Sequence, residues 1–332
     1  MEKRIALTGI KPTGTPHIGN YFGAIKPALE LARDYETRFF IADYHALNSE
    51  RDPQRLKEQT HQVAATWLAC GLDPEKSLVY KQSAVPETFE LTTILMAFTP
   101  KGLMNRAHAY KAVSEENRSA GKDPDNGINM GLYTYPVLMA ADILLFNSNV
   151  VPVGRDQKQH IEMTADIAQA INRNYREELL TVPEPLINEL TQIIPGMDGR
   201  KMSKSYNNTI PLFLPSKQLR KLIMKIVTNS QGIEEPKNPE NCNVFNLYRL
   251  FATEQEQDAL RQRYLAGGMG WGEAKQALYE CMEREIAPYR ERYEEYINNT
   301  DQIDAILARG AEKAREIAAG TISRLRRAIG IA

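Results

Sequence analysis

Across its first two hundred residues the chain alternates short apolar runs with helix-patterned segments, and this alternation restricts the possible folds more than any other feature. Ile5–Thr8, Arg38–Ala42, Leu78–Tyr80 and Val150–Val153 read as strands. A helical pattern runs from Ile18 to about Ala32. A second opens at Asp52-Pro53, with aspartate as N-cap and proline in the first helical position, carries Leu56, Val63, Trp67 and Leu68 on one side, and ends before Gly71. Strands separated by helices predict an α/β fold, a Rossmann-like doubly wound parallel sheet, with its ligand site at the carboxyl ends of the strands.

From about Pro86 to Asn147 the pattern is helical, broken by the polar stretch Ser114–Gly127, which has little to bury and predicts a mobile loop. Beyond about Pro211 no strand pattern remains. Helical patterns cover Leu214–Thr228, Gln255–Leu265, Gly272–Ile297 and Thr300–Ile331, and Thr253–Glu256 has capping-box form. The expected organisation is a catalytic domain over residues 1–210, with a helical insertion at about 86–147, followed by an all-helical domain over 211–332.

Composition narrows the class. With 42% apolar and 25% charged residues in 332, the chain is an ordinary globular protein with ample core. Cys70, Cys242 and Cys281 stand far apart with no CxxC pair, which argues against a disulfide framework or zinc ribbon and fits a reducing, cytoplasmic setting. The apolar stretch after Met1–Arg4 is too short for a signal peptide, and the run Tyr135–Phe146 is broken by Asp142 and too short to span a bilayer. A net charge of −1 means that any nucleic-acid partner must meet a local basic patch. Lys313, Arg315, Arg324, Arg326 and Arg327 form one such stretch, either an RNA contact or a solvated helix face.

Two constellations carry chemistry. In Thr8–Asn20 a strand ends, a Gly/Pro-rich loop turns, and a helix opens with His17-Ile18-Gly19-Asn20. Free N–H groups and the dipole at a helix start attract phosphate, His17 and Asn20 share a face, and Gly19 leaves room for a flat base. In Gly196–Ser205, Lys201 and Lys204 flank Met202-Ser203 in a flexible cationic clasp, suited to charge that shifts onto a pyrophosphate.

Together these elements resemble the two signature sequences of class I aminoacyl-tRNA synthetases. Tyr135–Leu145 (YPVLMAADILL) and Val151–Glu162 (VPVGRDQKQHIE) narrow the resemblance to the bacterial tryptophanyl-tRNA synthetases, over essentially the whole chain. The resemblance implies that Asp142 accepts the indole N–H, that Met139, Ile143, Val151 and Val153 wall the pocket, and that Tyr135 and Gln157 hold the amino end. His45 matches a pocket histidine, and Leu7 stands where the family commonly has an aromatic residue. Thr13, Gly19, Asn20, Gly154, Asp156 and Met202 fall on ATP-contacting positions, Asp156 on a ribose contact. His17, Asn20, Lys201, Ser203 and Lys204 match the catalytic signatures.

The chain departs from the pattern in carrying Lys11 for the usual glutamine and Gly154-Arg155-Asp156-Gln157 for the usual Gly-Glu-Asp-Gln; Ala107–Lys111 does not align cleanly with the family's insertion. The resemblance further implies ATP with substrate-borne Mg2+, a tRNA partner, a homodimer formed through the insertion, a cytoplasmic setting and no membrane. A tyrosyl enzyme, a simpler nucleotidyltransferase and a non-enzymatic RNA-binding paralogue are the competing readings.

Overall fold

The computed structural model describes residues 3–14, 16–187 and 194–332; Met1, Glu2 and Thr15, the last within the expected turn Thr13–Pro16, lie outside the described residues. Five strands, β1 (Ile5–Ile10), β2 (Glu36–Ile41), β3 (Leu78–Lys81), β4 (Val150–Val153) and β5 (Glu184–Ile187), form one sheet in the order β3-β2-β1-β4-β5. Every neighbouring pair is parallel. Parallel neighbours need crossovers, and helices supply them: α1 (Ile18–Asn20), α2 (Lys26–Glu30), α3 (Asp43–Ala46), α4 (Pro53–Ala69), α5 (Glu87–Phe98), α6 (Lys101–Met104), α7 (His108–Ser119), α8 (Met130–Leu144) and α9 (Lys158–Tyr175). Five more follow the sheet: α10 (Ser216–Ile223), α11 (Asn243–Tyr248), α12 (Glu254–Ala266), α13 (Trp271–Asn298) and α14 (Thr300–Ile329).

Side chains alternate across the sheet with the period of two that strands impose. Phe39, Ile41 and Val79 face a cluster shared with Ile18, Tyr21, Val63, Trp67 and the buried faces of α11 and α13. Phe40, Ala42 and Tyr80 face the opposite cluster, built from α5, α8, α9 and α14. The first cluster runs without a break from β2 into Phe245, Leu278 and Ile286, so the helices beyond residue 211 share a core with the sheet.

The expected helix from Ile18 is continuous to Arg33 but contains a wide π turn over Tyr21–Ile25. Asp52 caps α4 as its sequence predicts, accepting from the Gln54 and Arg55 N–H groups. Thr253 and Glu256 close the capping box of α12.

Three expectations change. Ser114–Gly127 is not one loop, because α7 continues to Ser119. There the buried Asn117 amide donates to the carbonyls of Pro124 (3.1 Å) and Asn126 (2.9 Å). The stretch is ordered by polar bonds, to which a hydrophobicity argument is blind. The edge strand β5 escapes the apolar pattern because it opens with Glu184-Pro185 and none of its four residues is buried. The last helix, α14, returns to the sheet and lies against β3. A Cβ on Gly310 would stand 1.7 Å from the Val79 carbonyl oxygen, so only glycine permits this approach.

The basic stretch of α14 is largely engaged within the chain. Arg326 makes two 2.6 Å bonds to Glu90, Arg315 bonds Glu87 at 3.1 Å, and Arg324 donates to Asn147 at 3.0 Å. Among the described residues no helix is long and apolar enough to cross a membrane.

Candidate active site

The strand order reverses between β1 and β4, and the carboxyl ends of these two strands diverge there into opposite crossovers. A crevice at such a switch point is the expected ligand site of an open parallel sheet. A cleft of about 1000 Å³ occupies this place. The loop after β1 lines it with Lys11, Thr13 and Gly14, the helix start with His17, Gly19 and Asn20, and the loop after β4 with Gly154, Arg155 and Asp156. Lys201, Met202, Ser203 and Lys204 close it from the other side. Two segments some 180 residues apart in the chain thus face each other across one opening.

The helix start is tied down by the chain that follows the lysine loop. His17 pairs antiparallel with Pro211, the Ile18 N–H donates to the Ile210 carbonyl (2.9 Å), and the Leu212 N–H to the Pro16 carbonyl (3.0 Å). The His17 N–H donates to Asn20 Oδ1 at 3.0 Å, and the Gly19 N–H to the Met202 sulfur at 3.3 Å. The expectation of free N–H groups at this helix start is therefore corrected. A returning segment, invisible in local sequence, occupies the Ile18 donor, and the Gly19 donor meets a thioether, a weak acceptor that a phosphate oxygen can displace. In the direction a side chain would take, Gly19 is crowded, since a Cβ would stand 2.9 Å from His17 Nδ1 and 3.5 Å from Met202 Cβ, while the residue also lines the cleft.

His17 is buried, its Nδ1 has no hydrogen-bond partner among the described residues, and its pKa falls to about 4, chiefly through burial and then through the Lys204 ammonium. The imidazole is neutral at physiological pH, with a buried ring nitrogen left to satisfy. Lys204 Nζ donates to the Thr13 carbonyl, and Gly14, at φ +65°, leaves the space that this ammonium fills. Burial lowers the pKa of Lys204. The loop that carries it is braced by Asn208, which sequence reasoning missed. Its side chain accepts from the Ser203 N–H (2.8 Å) and donates to Asp198 (2.7 Å) and to the Lys201 carbonyl (3.1 Å). Lone asparagines near a charged loop carry no signal of such a role.

Further along the same strand ends lies a buried polar cluster. Asp142, on α8, is 2% exposed. Its Oδ2 meets His45 Nε2 at 3.0 Å, and the Gln82 amide nitrogen lies 2.9 and 2.8 Å from its two oxygens. Burial pushes the Asp142 carboxyl above the ordinary carboxylate range, against the opposing bonds from His45 and Gln82. Tyr135 lies two turns before Asp142 on the same face of α8, its hydroxyl 2.5 Å from Nε2 of the buried His160 and its ring 6.3 Å from that of His45. Leu7, Ile143 and Val151 are buried in the surrounding apolar cluster, with Met139 and Val153 packed against it. Gln157 bonds Asp156 at 3.1 Å, at the rim of the nucleotide-sized cleft. Gln82 was not among the sequence candidates; its place directly after β3, at the ligand end of the sheet, is the signal that could have found it.

A doubly wound sheet with a polyanion-sized cleft at its switch point, closed by a lysine loop, defines a nucleotide-activating enzyme of the Rossmann type. The family profile described as tRNA synthetases class I (W and Y) matches residues 1–286. Over its whole length the chain is 55% identical to the tryptophan–tRNA ligase of Bordetella parapertussis and 52% identical to that of Pseudomonas aeruginosa, in each case spanning 74% of the relative. Among solved structures it is similar to the Campylobacter jejuni tryptophanyl-tRNA synthetase complexed with ADP and tryptophan, at a TM-score of 0.90 and 44% identity over 98% of this chain and 99% of that one. The chain belongs to the class I tRNA synthetases, and within them to the bacterial tryptophanyl-tRNA synthetases.

Proposed function

We infer that the chain activates L-tryptophan with ATP and transfers it to a tryptophan-accepting tRNA. The observation that carries the choice of amino acid is the buried, acceptor-only Asp142 among apolar walls. Tryptophan offers one side-chain polar group, an N–H donor, and a buried carboxylate is its natural counterpart. In the first step a carboxylate oxygen of tryptophan attacks the α-phosphorus of ATP and the bond to the β-phosphate oxygen breaks, giving tryptophanyl-adenylate and pyrophosphate. In the second, a hydroxyl of the tRNA 3′-terminal ribose attacks the acyl carbon, and AMP leaves as the hydroxyl proton is released. The attacking groups come from the substrates, so the protein contributes position and charge.

Lys204 and Lys201 stabilise charge on the leaving pyrophosphate, with Ser203 and Met202 carried on the same loop. His17, Gly19, Asn20, Lys11 and Thr13 receive the nucleotide on the opposite side, and Gly154 and Asp156 its ribose. Leu7, His45, Met139, Ile143, Val151 and Val153 enclose the indole, and Tyr135 and Gln157 take the amino end. Magnesium belongs to the nucleotide substrate: among the described residues that line the cleft Asp156 is the one carboxylate, a donor set suited to a phosphate-held ion. Residues 1–210 act as the catalytic domain, with the insertion at 86–147 forming a homodimer interface, and residues 211–332 contact the anticodon, in a cytoplasmic protein. Exchange of labelled pyrophosphate into ATP, measured with a panel of amino acids, tests the reading; stimulation by tryptophan is expected, and stimulation by tyrosine in its place would overturn it.

A further inference from the structure

Gln82 is 1% exposed and both ends of its amide are used. The Tyr44 backbone N–H lies 3.1 Å from Oε1 and can only donate, so this atom is the carbonyl oxygen and the NH2 group necessarily faces Asp142. From there it reaches both carboxylate oxygens, at 2.9 and 2.8 Å, which fixes the plane of the carboxylate as well as its position. The groups that surround Asp142 are His45 and Asp43 from α3, Gln82 from the end of β3, and the buried Tyr80 phenol from β3 itself. Asp43 disfavours the carboxylate form, and its own oxygens are held by Ser83, the residue after Gln82. A donor that carries no charge favours the ionised acceptor without adding a second ion to a dry site.

We propose that Gln82 is the positioning residue that keeps Asp142 an oriented acceptor, and thereby sets the selection of tryptophan against side chains that lack the indole N–H. This rests on the reading of Asp142 given above. Without the amide, the carboxylate is free to rotate about its last bond and gains a reason to hold a proton, and a protonated oxygen would face the indole N–H donor to donor. Tyr44 takes part through its backbone: its N–H decides which end of Gln82 points inward.

The test compares tryptophan with the analogue in which sulfur replaces the indole N–H, in pyrophosphate exchange by the full chain. In Gln82→Met, which keeps the length but makes neither bond, KM for tryptophan should rise about tenfold, the scale of one hydrogen bond to a charged group. KM for ATP and kcat should stay near the parent values, and the preference for tryptophan over the analogue should fall by a similar factor. Gln82→Glu restores a donor when one proton is shared between the two carboxyls. Its KM for tryptophan, relative to the parent, should therefore improve as pH is lowered from 8.5 to 6, while Gln82→Met should not respond. If Gln82→Met also loses ATP affinity, the pH response of Gln82→Glu still decides the matter. Parental KM and selectivity in Gln82→Met, or a Gln82→Glu variant with no pH-dependent recovery, would overturn the proposal. Asp142→Ala, which leaves no side-chain acceptor and is run in parallel, separates the two readings. If it abolishes selectivity while Gln82→Met does not, the proposal for Gln82 alone falls; if it leaves selectivity unchanged, the assignment of Asp142 falls and takes this proposal with it.

Discussion

Lys204→Ala removes an ammonium that the structure holds against the Thr13 carbonyl, at the mouth of the cleft. Brought to about 4 Å from a phosphate oxygen in surroundings of effective dielectric near 20, such a charge interacts with one unit of developing negative charge by about 4 kcal/mol. Reaching the phosphate means giving up the carbonyl, a bond with a net value of about 1 kcal/mol. The difference, about 3 kcal/mol, corresponds to a loss of roughly 100-fold in the rate constant for adenylate formation. Rapid-quench measurement at saturating ATP and tryptophan reads that constant, and equilibrium dialysis with labelled tryptophan reads the affinity, which should change little. The same substitution has a second readout. The Lys204 ammonium is one of two causes that depress His17, so its removal should move the imidazole pKa up from about 4 toward 6.5, visible by NMR. A histidine depressed in the folded state costs stability as pH falls from its unfolded pKa through the folded one, because the unfolded chain binds the proton first. The variant should therefore lose less stability than the parent between pH 6.5 and 4. A defect confined to tryptophan binding, together with an unmoved His17, would refute both the role and the geometry.

Gly310→Ala places a methyl 1.7 Å from a backbone oxygen of β3 and should force α14 off the sheet; a loss on the order of 3 kcal/mol in urea unfolding is expected, and an unchanged midpoint would contradict the packing. Arg326→Gln breaks the bond pair from a half-exposed arginine to Glu90, so stability should fall by less than ~1 kcal/mol and the salt dependence of tRNA binding should stay parental. A flattened salt slope would instead make this arginine a phosphate contact. Lys11→Gln should raise KM for ATP or tryptophan, most at low ionic strength, since the lysine lines the cleft. Arg155→Glu should weaken ATP binding in the same direction but less, with Asp156 offsetting part of its field; parental constants in both variants at low and high salt would place these charges outside the site.

How much of this was legible in the sequence differs from element to element. Four of the five parallel strands were readable because a buried strand needs a short apolar run, and four of the five helices beyond residue 211 were readable from their period, whereas α11, six residues long, is too short to show one. The two signature segments announced themselves through unusual local strings, Pro16–Asn20 and Lys201–Ser205, and the resemblance supplied roles for them. Tertiary structure alone decided what depends on residues distant in sequence. The antiparallel return of Ile210–Leu212 consumes a helix-start donor that looks free in local sequence. The bonds of Arg315, Arg324 and Arg326 turn a stretch that reads as basic into a clasp between α14 and its neighbours. Gln82 acquires meaning only because the Tyr44 N–H fixes its orientation toward Asp142. The reason is physical: periodicity records which side of an element is apolar, whereas hydrogen-bond partners and charge environments depend on which elements meet, and that is settled only when the chain closes on itself.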